Sequence, residues 1–219
     1  MIRHPAKYSD ALLPVFKKYL DGKVNVLDPF AGTGKLKSIA PAAVLLEIEP
    51  EWAKISSAIV CDSTNIPFND YFFDAICTSP TYGNRMADHF VDHQPDKKYM
   101  RNTYRHCLGR ALNENNSGRM QWGAKYKDLH KKVWRECYRV LAFNGVFVLN
   151  ISNHIRAGKE IKVTDWHVSQ LQGLGLELVR EHRVNTPRQR NGANAKLRVC
   201  YESVIVFKKT TTVCAAKLC

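Results

Sequence analysis

The stretch KVNVLDPFAGTG, residues 23–34, joins a short apolar run to a turn that contains two glycines. The apolar run favours a β-strand, because valine and leucine side chains pack well on the pleated surface of a sheet. The run stops at Asp28, and Gly32 and Gly34 follow in the turn. Glycines allow the backbone to pass close to a ligand before a helix begins, although glycine turns after strands also serve packing alone. The stretch therefore predicts the first strand of a sheet with a candidate ligand-binding edge.

Further apolar runs alternate with stretches of helical periodicity along the chain. The remaining predicted strands cover residues 42–50, 58–62, 72–79, 145–152, 176–184 and 202–209, and the predicted helices cover residues 9–20, 51–56, 126–141 and 163–175. The strand segments are continuously apolar, which is typical of a mostly parallel sheet covered by helices on both faces. We therefore predict an α/β fold, a doubly wound and mostly parallel seven-stranded sheet. It forms a single domain over residues 1–209, and residues 210–219 are a tail.

Two helix ends are predicted from local signals. Ser9 or Asp10 is expected to cap the first helix, because a side-chain oxygen at this position accepts a hydrogen bond from a free backbone N–H. The pair Asn144-Gly145 is expected to end the helix over residues 126–141, since both residue types adopt the left-handed conformation that closes many helices.

Composition limits the class of protein. The chain has 219 residues, of which 45% are hydrophobic and 24% charged, as in an ordinary globular protein. It contains no apolar run of membrane-spanning length, and its first residues carry a proline and charges where an export signal needs an apolar core. We therefore expect a cytoplasmic protein without a membrane partner. Seven scattered cysteines without a C-x-x-C pair predict reduced thiols and no metal site.

Positive charge is concentrated after the fourth predicted strand. The formal net charge is +13, and residues 85–139 contain 13 basic and 6 acidic side chains. Residues 83–125 are too long for an ordinary connection and mix basic with aromatic residues, as nucleic-acid surfaces do; a solvated loop is the alternative. The predicted nucleic-acid-binding residues are Arg85, Lys97, Lys98, Arg101, Arg105, Arg110 and Arg119 in this inserted region, and Arg188 and Arg190 in a second basic loop, residues 185–198.

The carboxyl ends of parallel strands meet at one edge of a sheet, and ligands bind there in open α/β folds. The second strand carries Glu47 at its end, 19 residues after Asp28, with Glu49 as the alternative. A carboxylate at this distance takes ribose hydroxyls in nucleoside-binding sheets. The third strand ends at Asp62, which could meet an adenine amino group. The fourth ends in Thr78-Ser79-Pro80-Thr81-Tyr82.

Together these strand ends resemble the S-adenosylmethionine-dependent amino-methyltransferases that modify nucleic-acid bases. DPFAGTG, residues 28–34, is similar to the methionine-binding motif of that family, and TSPTY, residues 78–82, to its catalytic S/D/N-P-P-Y/F/W motif. HPAKYSDAL, residues 4–12, is similar to the cofactor-side segment that precedes the first strand. The order of the segments matches one of the family's circular arrangements. The resemblance implies a Rossmann-like class I methyltransferase fold and S-adenosylmethionine as the cofactor.

The resemblance also implies a role for each matching residue. The implied cofactor-binding residues are Asp28, Phe30, Gly32 and Gly34 at the methionine part, Glu47 at the ribose and Asp62 at the adenine. At the catalytic turn, Ser79 and the Pro80 carbonyl would accept the two N–H bonds of a base amino group, and Tyr82 would stack on the base. Methyl transfer is then a direct displacement that depends on positioning, without a covalent intermediate or a metal.

The catalytic turn also bears on the substrate. A serine at the first motif position is similar to the cytosine-N4 enzymes of the family, whereas aspartate or asparagine is usual for adenine N6. We therefore expect methylation of cytosine N4 in DNA, with adenine N6 next and structured RNA third. Thr81 departs from the family pattern, because the second proline usually stands there. This departure leaves open a non-catalytic nucleic-acid-binding protein, while a small-molecule or protein methyltransferase would leave the basic insertion unexplained.

Overall fold

The computed structural model describes residue 4 and residues 8–83, 104–186 and 197–210. The strands are β1 (Val26–Asp28), β2 (Val44–Glu47), β3 (Ile59–Val60), β4 (Phe73–Thr78), β5 (Leu141–Ile151), β6 (His154–Arg156), β7 (Lys159–Ile161), β8 (Leu176–Asn185) and β9 (Tyr201–Lys209). Seven of them form one sheet in the order β3-β2-β1-β4-β5-β9-β8, and β6 pairs with β7 in a separate hairpin.

The sheet is parallel from β3 to β5. Only its far side is antiparallel, where β9 lies between β5 and β8 and runs against both of them. The predicted mostly parallel, seven-stranded sheet is therefore confirmed. The chain builds outward from β1 to β3 and then returns to place β4 on the other side of β1. This reversal creates a crevice at the carboxyl ends of β1 and β4, the usual ligand site of such sheets.

The helices are α1 (Leu13–Leu20), α2 (Pro50–Ser56), α3 (Tyr104–Leu108), α4 (Ala124–Val140) and α5 (Val163–Gly173). A short 3-10 turn, Asp10–Leu12, leads into α1, and the Ser9 side chain accepts a hydrogen bond from the N–H of Ala11 at 3.3 Å. Ser9 is thus the capping residue of the two candidates. In the described ranges, every helix is too short or too polar to cross a membrane.

Apolar clusters cover both faces of the sheet. Successive residues of β4 point to opposite faces: Ile76 packs in the cluster that contains Trp134 of α4 and Leu171 of α5. Ala75 packs instead in the cluster that contains Phe16 of α1. All of these side chains are almost completely buried. Burial on both faces explains the continuous apolar strands in the sequence and confirms the doubly wound arrangement.

The glycine turn is followed by a four-residue 3-10 turn, Lys35–Ser38, which leads directly toward β2. Pro41 limits the length of this turn, because a proline ring clashes with a helical conformation at the residue before it. The chain therefore cannot extend the turn into an α-helix before it reaches the sheet.

The pair Asn144-Gly145 does not end α4, which passes into β5 without a loop. Lys209 Nζ from β9 donates to the carbonyl oxygens of Tyr138 at 2.5 Å and Leu141 at 2.7 Å. A buried lysine thus satisfies carbonyls that a glycine cap would otherwise cover. Asn144 has a φ of +62° and lies inside β5, at a bulge where the register against β4 shifts.

We predict that Gly34→Ala destabilises the fold more than Gly22→Ala. Both glycines have positive φ, +75° and +71°, and this conformation costs an alanine about 1 kcal/mol. A Cβ on Gly34 would lie 2.7 Å from the Cβ of Ser56, whereas one on Gly22 would meet no atom within 4 Å. Overlap of this kind adds about 1–3 kcal/mol. Urea unfolding measures both variants, and equal losses of stability would contradict the packing role of Gly34.

Candidate functional site

A cavity lies at the carboxyl ends of the central strands, beside the reversal of strand order. The predicted site residues that line it are Phe30, Gly32, Glu47, Asp62, Ser79, Pro80 and Tyr82. Asp28 and Gly34 support the same turn from outside the lining, since Asp28 is buried behind it and Gly34 packs against Ser56 and Leu45. The structure therefore brings the three cofactor-type strand ends and the candidate catalytic turn to one cavity.

The N-terminal segment closes one side of the cavity. Lys35 Nζ donates a hydrogen bond to the carbonyl of Tyr8, and both residues line the cavity. The His4 ring contacts Trp52 edge-on, with centroids 4.4 Å apart. His4 Nε2 would lie 3.1 Å from a Cβ on Gly32, which also has a φ of +54°. A side chain at this position would therefore crowd the His4 ring, in addition to the strain of the positive φ.

Asp28 joins the end of β1 to the end of β4. Its Oδ1 accepts hydrogen bonds from the backbone N–H of Phe30 at 3.1 Å and from the hydroxyl of Thr78 at 2.7 Å. Burial raises the pKa of Asp28 to about 6, although both hydrogen bonds act in the opposite direction. This carboxyl group fixes the turn that presents Phe30 to the cavity.

Glu47 holds the glycine turn against the end of β2. Its Oε2 accepts a hydrogen bond from the N–H of Gly32 at 2.8 Å, and its Oε1 accepts one from the N–H of Glu49 at 2.9 Å. Burial raises the pKa of Glu47 to about 7; the neighbouring carboxylates of Glu49 and Asp28 also raise it, while the two hydrogen bonds lower it. Of the two candidate ribose ligands, Glu47 lines the cavity and Glu49 does not.

Glu49 instead attaches the inserted region to the sheet. This fully buried carboxylate accepts hydrogen bonds at Oε1 from the N–H of Asn113 and from Asn116 Nδ2, both at 2.8 Å. Its Oε2 lies 2.8 Å from Arg110 Nη2. Arg110 also donates from Nε to Glu51 at 2.8 Å. Arg110, expected at the nucleic-acid surface, is therefore held in structural ion pairs.

Asp62 meets the inserted region from the third strand end. Its Oδ1 accepts a hydrogen bond from the N–H of Thr64 at 2.9 Å, and its Oδ2 accepts one from Asn115 Nδ2 at 2.7 Å. Asn115 and Asn116 both line the cavity. These asparagines were not predicted from the sequence, where their only local signal is the polar run Asn113–Asn116.

The candidate catalytic turn lies in a polar network with two residues from β5 and β9. Asn150 Nδ2 donates to Glu202 Oε2 at 2.7 Å and lies 2.8 Å from Tyr82 Oη and 3.0 Å from Ser79 Oγ. Tyr82 Oη donates to Glu202 Oε2 at 2.8 Å. One hydrogen of the Asn150 amide therefore points to Glu202, and the other is shared by the serine and tyrosine oxygens.

Asn150 and Glu202 were not predicted as site residues from the sequence. Asn150 follows four apolar residues in β5, so a buried polar group at this strand end was the available signal. Glu202 has no local signal, because β9 runs antiparallel and its beginning, not its end, reaches this edge. Cys77, one residue before Thr78, is buried in β4, and burial raises its thiol pKa well above the usual range. Cys77 is therefore a buried strand residue and not an activated nucleophile.

A groove of about 810 Å³ adjoins the cavity and shares Asn115 and Leu129 with it. Its basic side chains are Arg119, Lys125, Lys132 and Arg156, and its acidic ones are Glu114 and Asp128. Trp122 also lines the groove, with Lys127 Nζ 4.8 Å from the centroid of its ring. The groove thus combines a basic surplus with an aromatic ring, next to the cavity.

Arg119 and Arg110 are the predicted nucleic-acid-binding residues whose side chains the structure describes, and Arg119 is the one at the groove. It lines the groove and donates from Nη1 to the carbonyl of Leu112 at 3.2 Å. Arg105 lies in α3, but its side chain is outside the described part. The other predicted residues that fall outside the described ranges are Arg85, Lys97, Lys98, Arg101, Arg188 and Arg190. Among the described residues, no three metal-ligating side chains converge.

Neither protein-family models nor curated protein sequences match the chain. Solved structures do match it. A S-adenosylmethionine-dependent methyltransferase from Methanosarcina mazei is 12% identical, with 90% of this chain and 97% of that chain covered and a TM-score of 0.56. The Burkholderia thailandensis 1,6-didemethyltoxoflavin-N1-methyltransferase, solved with S-adenosylhomocysteine, is 13% identical, with 92% and 79% covered and a TM-score of 0.54. The chain has the class I methyltransferase fold.

The fold by itself leaves the reaction open. The (4+2)-cyclase SpnF is 14% identical to the chain, with 96% of this chain and 88% of that chain covered and a TM-score of 0.56. A protein named for cyclisation therefore shares this fold with proteins named for methyl transfer. Because one fold hosts different reactions, the reaction depends on the residues that line the cavity.

We predict that the contribution of Glu47 to the free energy of unfolding decreases as pH rises from about 4.5 to 7. Its pKa is 4.5 in an ordinary setting and about 7 in the folded protein, so the unfolded chain releases this proton first and gains stability relative to the folded state. Asp28 contributes in the same direction below about pH 6. The difference in the free energy of unfolding between Glu47→Gln and wild type, measured by urea unfolding, should therefore shift in favour of the variant as pH rises across this range; a difference that does not change with pH would contradict the assignment.

Proposed function

We propose that the protein is an S-adenosylmethionine-dependent methyltransferase that modifies the exocyclic amino group of a nucleic-acid base. The observation that carries the proposal is that the Ser79-Pro80-Thr81-Tyr82 turn lines the same cavity as the glycine turn, Glu47 and Asp62. The fold that the chain shares with methyltransferases supports the same conclusion.

The chemistry of the cavity fits S-adenosylmethionine. Glu47 would accept hydrogen bonds from the ribose, Asp62 would bind the adenine, and Phe30 and Gly32 would contact the methionine part. Asp28 and Gly34 would hold the loop in place from behind. Burial disfavours the charged forms of Asp28 and Glu47. A positively charged ligand would stabilise these charged forms, and the ionised carboxyl groups would in turn strengthen its binding. The bound cofactor supplies an electrophilic methyl group on a positively charged sulfur.

The turn supplies acceptors for an amino group. A serine oxygen accepts two hydrogen bonds. Asn150 uses one at Ser79 Oγ, which leaves a second for an N–H of the base. The Pro80 carbonyl would accept the other N–H, and the proline ring fixes φ at this position. With both hydrogens held, the nitrogen lone pair would be directed at the methyl group that the cofactor would supply, and the amino proton lost on transfer would pass to solvent.

Tyr82 is suited to stack on the base. Its hydroxyl is fixed by Glu202 and Asn150, at 2.8 Å from each, so the orientation of its ring is set by contacts on the side of the sheet. The ring itself lines the cavity. A base swung out of a nucleic-acid strand would be read by such a ring and by acceptors for its amino group.

Cytosine N4 in DNA is the substrate that we propose first. The serine at position 79 favours it through the motif resemblance, with adenine N6 and amino groups in structured RNA as the next candidates. The groove lined by Arg119, Lys125, Lys132 and Arg156 supports a polyanionic substrate, since phosphates on either side of a flipped base need cationic contacts. We also propose that the protein recognises only a short nucleotide sequence around the target base, because base contacts beyond the cavity would depend on this groove and the basic loops.

We predict that labelled S-adenosylmethionine transfers its methyl group to DNA or RNA, and that Ser79→Ala lowers kcat by about 100-fold through loss of one amino-group acceptor. The cofactor Kd should stay unchanged in this variant. Nucleoside digestion and mass spectrometry identify the base and position, and calorimetry measures cofactor binding. Ser169→Ala, an exposed serine of α5, is the matched control and should keep full activity.

Two results would count against the proposal in different ways. Full activity of Ser79→Ala would refute the role of the Ser79 hydroxyl, but it would still agree with a methyltransferase. Absence of S-adenosylmethionine binding in wild type would refute the proposed methyltransferase activity. The fold would then belong to a non-catalytic nucleic-acid-binding protein, the alternative that Thr81 leaves open.

We predict that Lys125→Ala and Lys132→Ala each weaken nucleic-acid binding and reduce the slope of log K against log salt by about 1. Both lysines are exposed at the groove, so their removal eliminates phosphate contacts without disturbing the core. Lys208→Ala, an exposed lysine of β9 away from the groove, is the control. Fluorescence anisotropy at several salt concentrations makes the measurement, and equal slopes for all three variants would exclude the groove as the binding site.

A further inference from the structure

The catalytic turn has a support that lies outside its sequence motif. Thr81 stands where the resembling family usually has a second proline, and a threonine leaves the backbone free to rotate at φ. The hydroxyl of Tyr126, at the start of α4, donates a hydrogen bond to the carbonyl of Thr81 at 2.6 Å. A tyrosine thus restrains the peptide unit that follows Thr81, next to the φ rotation that a proline ring would fix.

A chain of hydrogen bonds fixes the direction of this contact. Trp134 Nε1 lies 3.0 Å from His167 Nδ1, and an indole nitrogen can only donate, so Nδ1 is the acceptor. The neutral imidazole then carries its proton on Nε2, which lies 3.0 Å from Tyr126 Oη. Because Tyr126 Oη accepts from His167, its own proton is available for the carbonyl of Thr81. Every donor in the chain has one acceptor.

The chain of contacts is buried and spans two helices. Tyr126 and Trp134 belong to α4 and His167 to α5, and all three side chains are 0% exposed. Burial lowers the pKa of His167 well below its usual range, with a further contribution from His130. The imidazole therefore stays neutral, as the direction of the chain requires. Buried and fully paired hydrogen bonds of this kind hold one geometry better than exposed ones.

We propose that Tyr126, oriented by His167 and Trp134, is a positioning residue that keeps Ser79 Oγ and the Pro80 carbonyl aimed at the amino group of the base. This role rests on the proposed function and deepens it. In this role, contacts from α4 and α5 give the catalytic turn rigidity that a second proline would otherwise supply. Tyr126 itself touches neither the base nor the cofactor in this role.

The first test is Tyr126→Phe, which removes one hydroxyl and leaves the ring. Displaced acceptors should lower kcat by about 10- to 100-fold. The cofactor Kd should change by less than about twofold, because the glycine turn and Glu47 are untouched. The matched control is Tyr19→Phe, which removes a hydroxyl 2.7 Å from His182 Nε2, outside the cavity, and should keep the wild-type kcat. Equal kcat values for the two variants would overturn the proposal.

The second test separates positioning from general stability. His167→Gln retains an oxygen that can accept from Trp134 and an amide that can donate to Tyr126, whereas His167→Leu retains neither. We expect kcat to be higher in the glutamine variant than in the leucine variant by about 10-fold. Similar losses in both variants would mean that the histidine only fills space. In wild type, 15N NMR of labelled histidine should show the His167 proton on Nε2, and a proton on Nδ1 would overturn the proposed direction.

A third measurement does not depend on activity. Crystal structures of wild type and Tyr126→Phe, both with S-adenosylhomocysteine, should differ in the position of the Pro80 carbonyl oxygen by more than about 0.5 Å, the tolerance of a preorganised site. An unmoved turn would refute the positioning role even if the protein is a methyltransferase. If wild type transfers no methyl group to any nucleic acid, the proposed function fails, and this comparison still decides whether Tyr126 holds the turn.

Discussion

The buried carboxylate of Glu47 holds the glycine turn against the end of β2, and the architecture of the cavity depends on this contact. Its two oxygens accept the backbone N–H groups of Gly32 and Glu49, so one side chain sets both the loop after β1 and the entry to α2. Glu49 then binds the inserted region through Asn113 and Asn116. The cofactor-type loop and the insertion are therefore linked through the end of β2, in a setting where each backbone hydrogen bond is strong because water is excluded.

The fold was predictable because burial on both faces leaves a direct trace in the sequence. Strands with apolar side chains on both faces indicated the parallel sheet, and the apolar periodicity of α4 located its ends to within two residues. The prediction that failed concerned the end of α4. Lys209 satisfies the last carbonyls of this helix from the far end of the chain. This contact depends on a residue that local signals cannot connect with the helix.

The candidate site likewise contains residues that were predicted from the sequence and residues that were not. Glu47, Asp62, Ser79 and Tyr82 were identified because each follows a strand whose end can be located from the sequence. Asn150 and Glu202 were missed because their meeting requires β9 to insert between β5 and β8 in the opposite direction. The contacts of Thr81, Tyr126 and His167 likewise appear only when α4 and α5 are packed on the sheet. Strand ends are visible in a sequence, whereas partnerships between distant elements are not.

The position of β9 has a consequence for when the protein becomes competent during its synthesis. This strand comes after every other strand in the chain but lies inside the sheet, with Glu202 at the candidate site and Lys209 at the end of α4. A nascent chain that lacks residues 201–209 leaves Asn150 without its carboxylate, β5 with an open edge and α4 with uncovered carbonyl oxygens. The part of the chain that precedes β9 can begin to fold on the ribosome, but the site is incomplete until β9 emerges. Synthesis of β9 therefore sets the earliest moment at which the turn has its full set of contacts.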